Sequence, residues 1–375
     1  MASPVQPASY AWEATDEEVA ERYGLDVETI VRFDLNTSPA PPEAAVRRLA
    51  AGRFDRPISE YPPSDYRRLV RVAAEVYGVE PEEILVAAGA DEALDIAAKT
   101  FLGPDRIAVI PTPTYAMFRV LSAQRGATVR TVPRRGPDDG FALDLVGIRE
   151  AARGASVVWL ASPNNPTGLA EPDGSIAGLL EDLAADAATA TMEPPAVVLD
   201  EAYAEFAGRS LVDLRSAYEH LIVVRTASKA YGVAGLRVGF AIARRATLAL
   251  MEPYRPPGSV AVPSVAVVAD LLPDRAALAG AVTTIARERD RLAGLLADAG
   301  WPAWPSTTNF LLVPFGSPDH AARIAETMLR RGLVPRTFPS GHPLADHLRL
   351  TVRTPADDDR LIDAIASVPR PDPPS

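Results

Sequence analysis

The 375-residue chain contains no cysteine, which excludes disulfides, thiolate metal sites and cysteine nucleophiles. Histidine is scarce too: His220, His320, His342 and His347 show no metal-ligand spacing, so no metal site is expected. No apolar run approaches the roughly 18 residues needed to span a bilayer, and the start of the chain shows no basic segment leading into an apolar one. A soluble cytoplasmic protein is the expectation. The net charge of −11 and isoelectric point near 5.0 argue against a nucleic-acid partner, since phosphate backbones are held by clustered basic side chains. Lysine is the most telling shortage: of 38 basic residues only Lys99 and Lys229 are not arginine. A guanidinium replaces an ammonium wherever charge alone is needed, but it does not serve as an amine nucleophile. Codon bias toward arginine accounts for the scarcity, and Lys99 lies in a helical pattern, Asp91 to Lys99, where a solvated face is expected. Lys229 is set differently, within Thr226-Ala227-Ser228-Lys229 and with Arg237 eight residues on. Two hydroxyls and a guanidinium beside an amine suit an anionic phosphate next to a reactive nitrogen.

Length allows one large domain and a smaller companion. From about residue 82, short apolar runs alternate with helical patterns: residues 84–87, 106–110, 156–160, 196–199, 221–224 and 238–242. Apolar strands between helices predict an α/β fold with a largely parallel sheet covered on both faces. A long helical pattern from about 260 to 300 is expected to lead into a smaller α/β unit containing Asn309 to Val313, a helix near 318–331, Leu333 to Arg336, Leu348 to Val352 and a last helix from Asp357. The expected division is an N-terminal arm over 1–45 packing on the small domain, a large domain over 46–265, a small domain over 266–368 and a disordered tail from 369 to 375.

Several short motifs fall at the ends of the predicted strands, where open α/β sheets place their ligands. They are Ser162-Pro163-Asn164-Asn165-Pro166-Thr167-Gly168, Asp200-Glu201-Ala202-Tyr203, and Ser228-Lys229 with Arg237. Taken singly, each has an ordinary reading: a turn for Asn165 to Gly168, a helix cap for Asp200, a core tyrosine for Tyr115, an edge-strand arginine for Arg349. In this order they resemble the fold type I pyridoxal-phosphate enzymes of the class I/II aminotransferase family, and among these the histidinol-phosphate aminotransferases, over nearly the whole chain from Asn36 to about residue 365.

The resemblance implies pyridoxal 5′-phosphate as cofactor and gives each motif a part. Lys229 supplies the amine that holds the cofactor aldehyde and then carries a proton to and from the substrate Cα. Asp200 keeps the pyridine nitrogen protonated. Asn165 and Tyr203 donate to the ring's phenolic oxygen, and Tyr115 stacks on the ring. Gly89, Ala90 and Asp91 open a helix that, with Thr226, Ser228 and Arg237, cradles the phosphate. Arg349 grips the substrate carboxylate or its equivalent, with Asn165 and Arg336 also facing substrate. Tyr61 reaches across a homodimer interface to the neighbouring cofactor phosphate, so that the active sites are shared.

The pattern departs from the histidinol-phosphate enzymes in two places. Of two arginines expected around the substrate phosphate, Arg336 keeps one and Pro314 stands at the other, with no charge and no donor. Arg353 stands where a glycine is usual, a long basic side chain that either compensates in part or simply faces water. The expected activity is amino transfer between histidinol phosphate or an aromatic amino acid and a 2-oxo acid such as 2-oxoglutarate. A phosphothreonine-type decarboxylase shares the same cofactor set. A non-catalytic sensor domain is disfavoured because the acidic first 45 residues are too short for a winged helix-turn-helix.

Overall fold

The computed structural model describes residues 9–369. Its strands are β1 (Val31–Arg32), β2 (Ile84–Ala87), β3 (Ile107–Thr112), β4 (Thr128–Pro133), β5 (Val157–Ala161), β6 (Ala196–Asp200), β7 (Leu221–Thr226), β8 (Gly239–Ile242), β9 (Phe310–Pro314), β10 (Leu333–Val334) and β11 (His347–Thr351). Seven of them form one sheet in the order β2-β8-β7-β6-β5-β3-β4, in which only β8 runs against the rest.

The alternation of side chains along each strand separates two cores. Val158 and Leu160 of β5 and Val197 and Leu199 of β6 pack with the helices Arg67–Tyr77, Ser175–Ala190 and Val262–Leu271 on one face. Val157, Trp159, Ala196 and Val198 meet the helices Gly89–Phe101, Ala116–Gln124 and Arg245–Met251 on the other. Burial on both faces is why the strands read as continuous apolar runs. The edge strand β4 escapes the sequence reading because only Val132 of its six residues is buried, so no such run marks it.

The smaller unit pairs β9 with β11 antiparallel and β1 with β10 parallel, around a core that includes Phe33, Leu311, Val313, Leu348 and Leu350. The N-terminal segment therefore supplies a strand to this unit. The single long helix expected over 260–300 is two helices, Val262–Leu271 and Arg275–Asp298. Pro273 interrupts them, and the Asp274 side chain caps the second by accepting from Ala277 N. The expected domain boundary at 265 falls inside the first helix, whose apolar residues on to Leu272 belong to the large-sheet core. The second helix bridges the units, with Leu278 against the large core and Leu292 and Leu296 in the small one. The expected tail lies outside the described residues except for Pro369.

Candidate active site

The carboxyl ends of β2, β3, β5, β6 and β7 open on one cavity of about 600 Å³. Each strand end delivers a polar group there because the backbone leaves the sheet ladder at that point, freeing its side chains and N–H groups for a ligand.

Lys229 follows β7, and its Nζ donates to the Leu35 carbonyl at 3.3 Å and lies 5.8 Å from the centre of the Tyr203 ring. Burial, reinforced by the nearby Arg349 charge, brings its ammonium down to about 8. A sizeable fraction is thus neutral amine near pH 8, the form that attacks a carbonyl carbon. Lys99 is a contrast: it forms an ordinary helix-surface ion pair with Asp95 at 2.6 Å.

Asp200 ends β6 and is 7% exposed. Its Oδ1 accepts from Ala202 N at 2.9 Å, yet burial pushes the carboxyl up to about 7. A protonated ring nitrogen in the cavity would relieve this cost by restoring the charged form. Tyr203 accepts from Asn36 Nδ2 at 2.9 Å, and burial pushes its phenol up to about 12, so it remains a proton donor at neutral pH.

The start of the helix Gly89–Phe101 is built for close approach. Its first turn is anchored by Glu92, which accepts from Ala88 N at 2.6 Å and from Ser259 Oγ at 2.7 Å. A Cβ on Gly239 would lie 2.7 Å from Ala90 N and from Gly89 O, and closer still to the Gly89 carbonyl carbon. Only glycine lets β8 pass the helix start at this distance. Arg237 lies over Gly89 and reaches Asp91 Oδ2 at 3.3 Å, while Thr226 Oγ1 and Ser228 Oγ are 2.9 Å apart. Exposed N–H groups at a helix start, two hydroxyls and a guanidinium together make an anion cradle. Gly239→Ala is expected to cost about 1–3 kcal/mol by overpacking backbone on backbone. A lowered unfolding temperature together with weakened cofactor titration checks this, whereas an unchanged titration would place the cradle elsewhere.

Tyr115 lines the cavity and donates to Asp91 Oδ1 at 2.8 Å, and burial next to that carboxylate holds its phenol well above the ordinary range. Asn164, fully buried, fixes the loop after β5 by accepting from Thr114 Oγ1 at 2.7 Å and donating to Thr167 Oγ1 at 2.8 Å. Its neighbour Asn165 is thereby turned into the cavity, where its Oδ1 accepts from Arg349 Nη1 at 2.6 Å. Arg349 also donates to the Asp34 carbonyl, and its buried Nε has no hydrogen-bond partner. Burial lowers the affinity of this guanidinium for its proton, and an anion would satisfy it. Arg336 pairs with Arg349 through backbone hydrogen bonds of 3.1 Å in both directions and faces the same cavity.

The structure thus brings Ala90, Asp91, Tyr115, Asn165, Asp200, Tyr203, Thr226, Ser228, Lys229, Arg237, Arg336 and Arg349 to one cavity, with Gly89 directly beneath Arg237. Tyr61 is not among the lining residues and is 88% exposed. Pro314 and Arg353 do not line the cavity either. Pro314 pairs with His347, two residues beyond the Leu312–Arg349 pair and so about 7 Å further along the strand. Arg353 points instead at Thr37 Oγ1, 3.3 Å away, and at the Ser38 carbonyl at 3.4 Å.

Sequence reasoning also missed groups that the N-terminal segment contributes. Asn36 sits at φ +52°, which asparagine tolerates better than most residues, and is stitched to Thr351 Oγ1 and Asn309 Nδ2 at 2.9 and 3.0 Å. Tyr10 and Trp12 line the cavity mouth.

The family model "Aminotransferase class I and II" matches residues 30–365. The chain belongs to the class I and II aminotransferases. It is 36% identical over 360 residues to the histidinol-phosphate aminotransferase of Roseiflexus castenholzii, covering 94% of this chain and 93% of that one. Among solved structures it resembles the histidinol-phosphate aminotransferase of Sinorhizobium meliloti in complex with pyridoxal 5′-phosphate, with a TM-score of 0.85, 25% identity and coverage of 96% and 95%. It also shares its fold, at a TM-score of 0.72 and 22% identity, with the L-threonine-O-3-phosphate decarboxylase of Porphyromonas gingivalis, over 90% of this chain and 98% of that one. This class I and II aminotransferase is a pyridoxal 5′-phosphate enzyme. The raised Asp200 carboxyl, the anion cradle at the helix start that Gly239 lets β8 approach and the unpartnered Arg349 Nε all fit that cofactor and an anionic substrate. Among the described residues no helix is long and apolar enough to cross a membrane, and no cluster of metal-ligating side chains occurs.

Proposed function

We propose that this aminotransferase moves an amino group between histidinol phosphate or an aromatic amino acid and a 2-oxo acid such as 2-oxoglutarate, as a cytoplasmic enzyme of amino-acid biosynthesis. The observation that carries this reading is the pair Arg349 and Arg336, which line one cavity together with Lys229. Arg349, with its unpartnered Nε, binds the anionic end of an amine substrate, Arg336 stands beside it, and the substrate nitrogen and Cα are thereby presented to Lys229.

Bound pyridoxal phosphate supplies an electron sink for the negative charge that develops at the substrate Cα. The remaining work falls to side chains. Lys229 Nζ would hold the cofactor at rest and, as a free amine, would serve as the base that takes up the substrate Cα proton. Asp200 would keep the ring nitrogen protonated, Tyr203 and Asn165 would donate to the phenolic oxygen, and Tyr115 would stack on the ring. Backbone N–H groups of Gly89, Ala90 and Asp91, with Thr226, Ser228 and Arg237, hold the phosphate. Conversion of a panel of amino donors, followed by the loss of cofactor absorbance, tests the reading. Release of CO2 instead of a 2-oxo acid would favour the decarboxylase.

The exposed Tyr61 fits a homodimer in which each chain completes its neighbour's site. Mixing Tyr61→Phe and Lys229→Ala chains is then expected to give heterodimers with one unaltered site and activity above either parent. A fully active monomer by light scattering, or mixtures no more active than the parents, would refute shared sites.

A further inference from the structure

The N-terminal segment that lines the cavity with Tyr10 and Trp12 carries a charge of its own. Arg336 Nη1 donates to the Ala11 carbonyl at 2.7 Å and lies 3.7 Å from Glu13 Oε1, and its guanidinium sits 5.2 Å from the centre of the Tyr10 ring. Glu13 is held in place by Thr337, accepting from its N at 2.8 Å and its Oγ1 at 2.9 Å. Both partners of the ion pair are shielded, at 16% and 19% side-chain exposure for Arg336 and Glu13. Arg349, in contrast, meets only neutral acceptors, Asn165 Oδ1 and the Asp34 carbonyl.

Asp34, which also lines the cavity, is paired with Arg32 at 2.6 Å, so at this end Glu13 offsets Arg336 while Arg349 has no carboxylate of its own among the described residues. We infer that Glu13, by neutralising Arg336, is a specificity-determining positioning residue that selects a donor bearing a singly charged carboxylate over one bearing a phosphate dianion. A carboxylate completes Arg349 and leaves the Arg336–Glu13 pair intact. A dianion that engages both arginines brings its second charge against Glu13 and breaks the pair. Tyr10, against Arg336, and Trp12, in edge contact with it at 4.8 Å, both line the cavity, which suits an aromatic side chain. The inference rests on the aminotransferase reading and narrows its donor to the aromatic amino acids.

The probes are 3-phenylpropionate and 2-phenylethylphosphonate, which share an apolar skeleton and differ in charge once the phosphonate is fully ionised. Their competitive inhibition is compared on the wild-type holoenzyme, on Glu13→Gln, which keeps an acceptor for Thr337 without the charge, and on Thr337→Val, which loosens the segment without changing charge. Glu13→Gln is expected to shift the ratio of inhibition constants toward the phosphonate by about tenfold, the scale of one unit charge at a partly shielded separation. Thr337→Val should leave that ratio in place even if both constants rise. An unchanged ratio in Glu13→Gln, an equal shift in Thr337→Val, or a wild-type enzyme that already prefers the phosphonate would overturn the inference while leaving the aminotransferase reading intact. If no donor turns over, that reading fails by itself, and calorimetric binding of the two probes still decides the role of Glu13.

Discussion

Lys229→Ala is expected to lose at least about 10⁴-fold in turnover, because it removes both the covalent anchor of the cofactor and the base at the substrate Cα. Cofactor affinity should fall much less, since the anion cradle of Thr226, Ser228, Arg237 and the helix start at Gly89 is built from other residues. Steady-state rates paired with a cofactor titration separate the two effects. Residual turnover within tenfold of wild type would mean that another group does the proton transfer. The expectation follows from the chemistry of the site: its amine is brought down to about 8 chiefly by burial, so it is available as a base where a surface lysine is not.

Asp200→Asn is expected to lower turnover by about 10³-fold, the scale of removing one preorganised electrostatic partner from a water-excluded site. It should have the opposite effect on the cofactor-free protein. The folded-state pKa of Asp200 is raised to about 7, above the ordinary carboxylate value, so its ionisation destabilises the cofactor-free fold. This cost grows as pH rises from about 4 toward 7 and then stays level, reaching a few kcal/mol. Asparagine removes it. Cofactor-free Asp200→Asn should therefore unfold at a higher temperature than cofactor-free wild type at pH 7, with the gap closing near pH 4. Addition of pyridoxal phosphate should reverse the order, because only the aspartate gains a cationic partner. Equal melting curves with and without cofactor would show that Asp200 does not face the ring nitrogen.

Much of this site was legible in the sequence because its groups sit at strand ends, where an apolar run stops and a polar motif begins. Asp200 closes β6, Ser162 to Gly168 follow β5 and Ser228-Lys229 follow β7, so a local pattern marks each. What stayed hidden depends on contacts with no local signature. Glu13 meets Thr337 and Arg336, and Asn36 meets Asn309 and Thr351, each across most of the chain, and nothing in either short stretch announces its partner. Strand β4 was hidden for a different reason: it lies at the sheet edge with one buried residue, so it lacks the apolar run that identified its neighbours. Pro273 alone does not reveal the break between the two helices, because apolar residues continue on both sides of it. The distance of Pro314 from Arg349 also has no local signature. Strand alternation fixes which face a residue shares, but only the register, Leu312 opposite Arg349, fixes how far along the strand it lies.

The most direct test of the central claim is borohydride reduction of the holoenzyme followed by peptide mapping. The account predicts that the cofactor becomes fixed to the peptide containing Lys229 and to no other. A label on Lys99, whose amine is held in an ion pair with Asp95, or no lysine label at all, would contradict it.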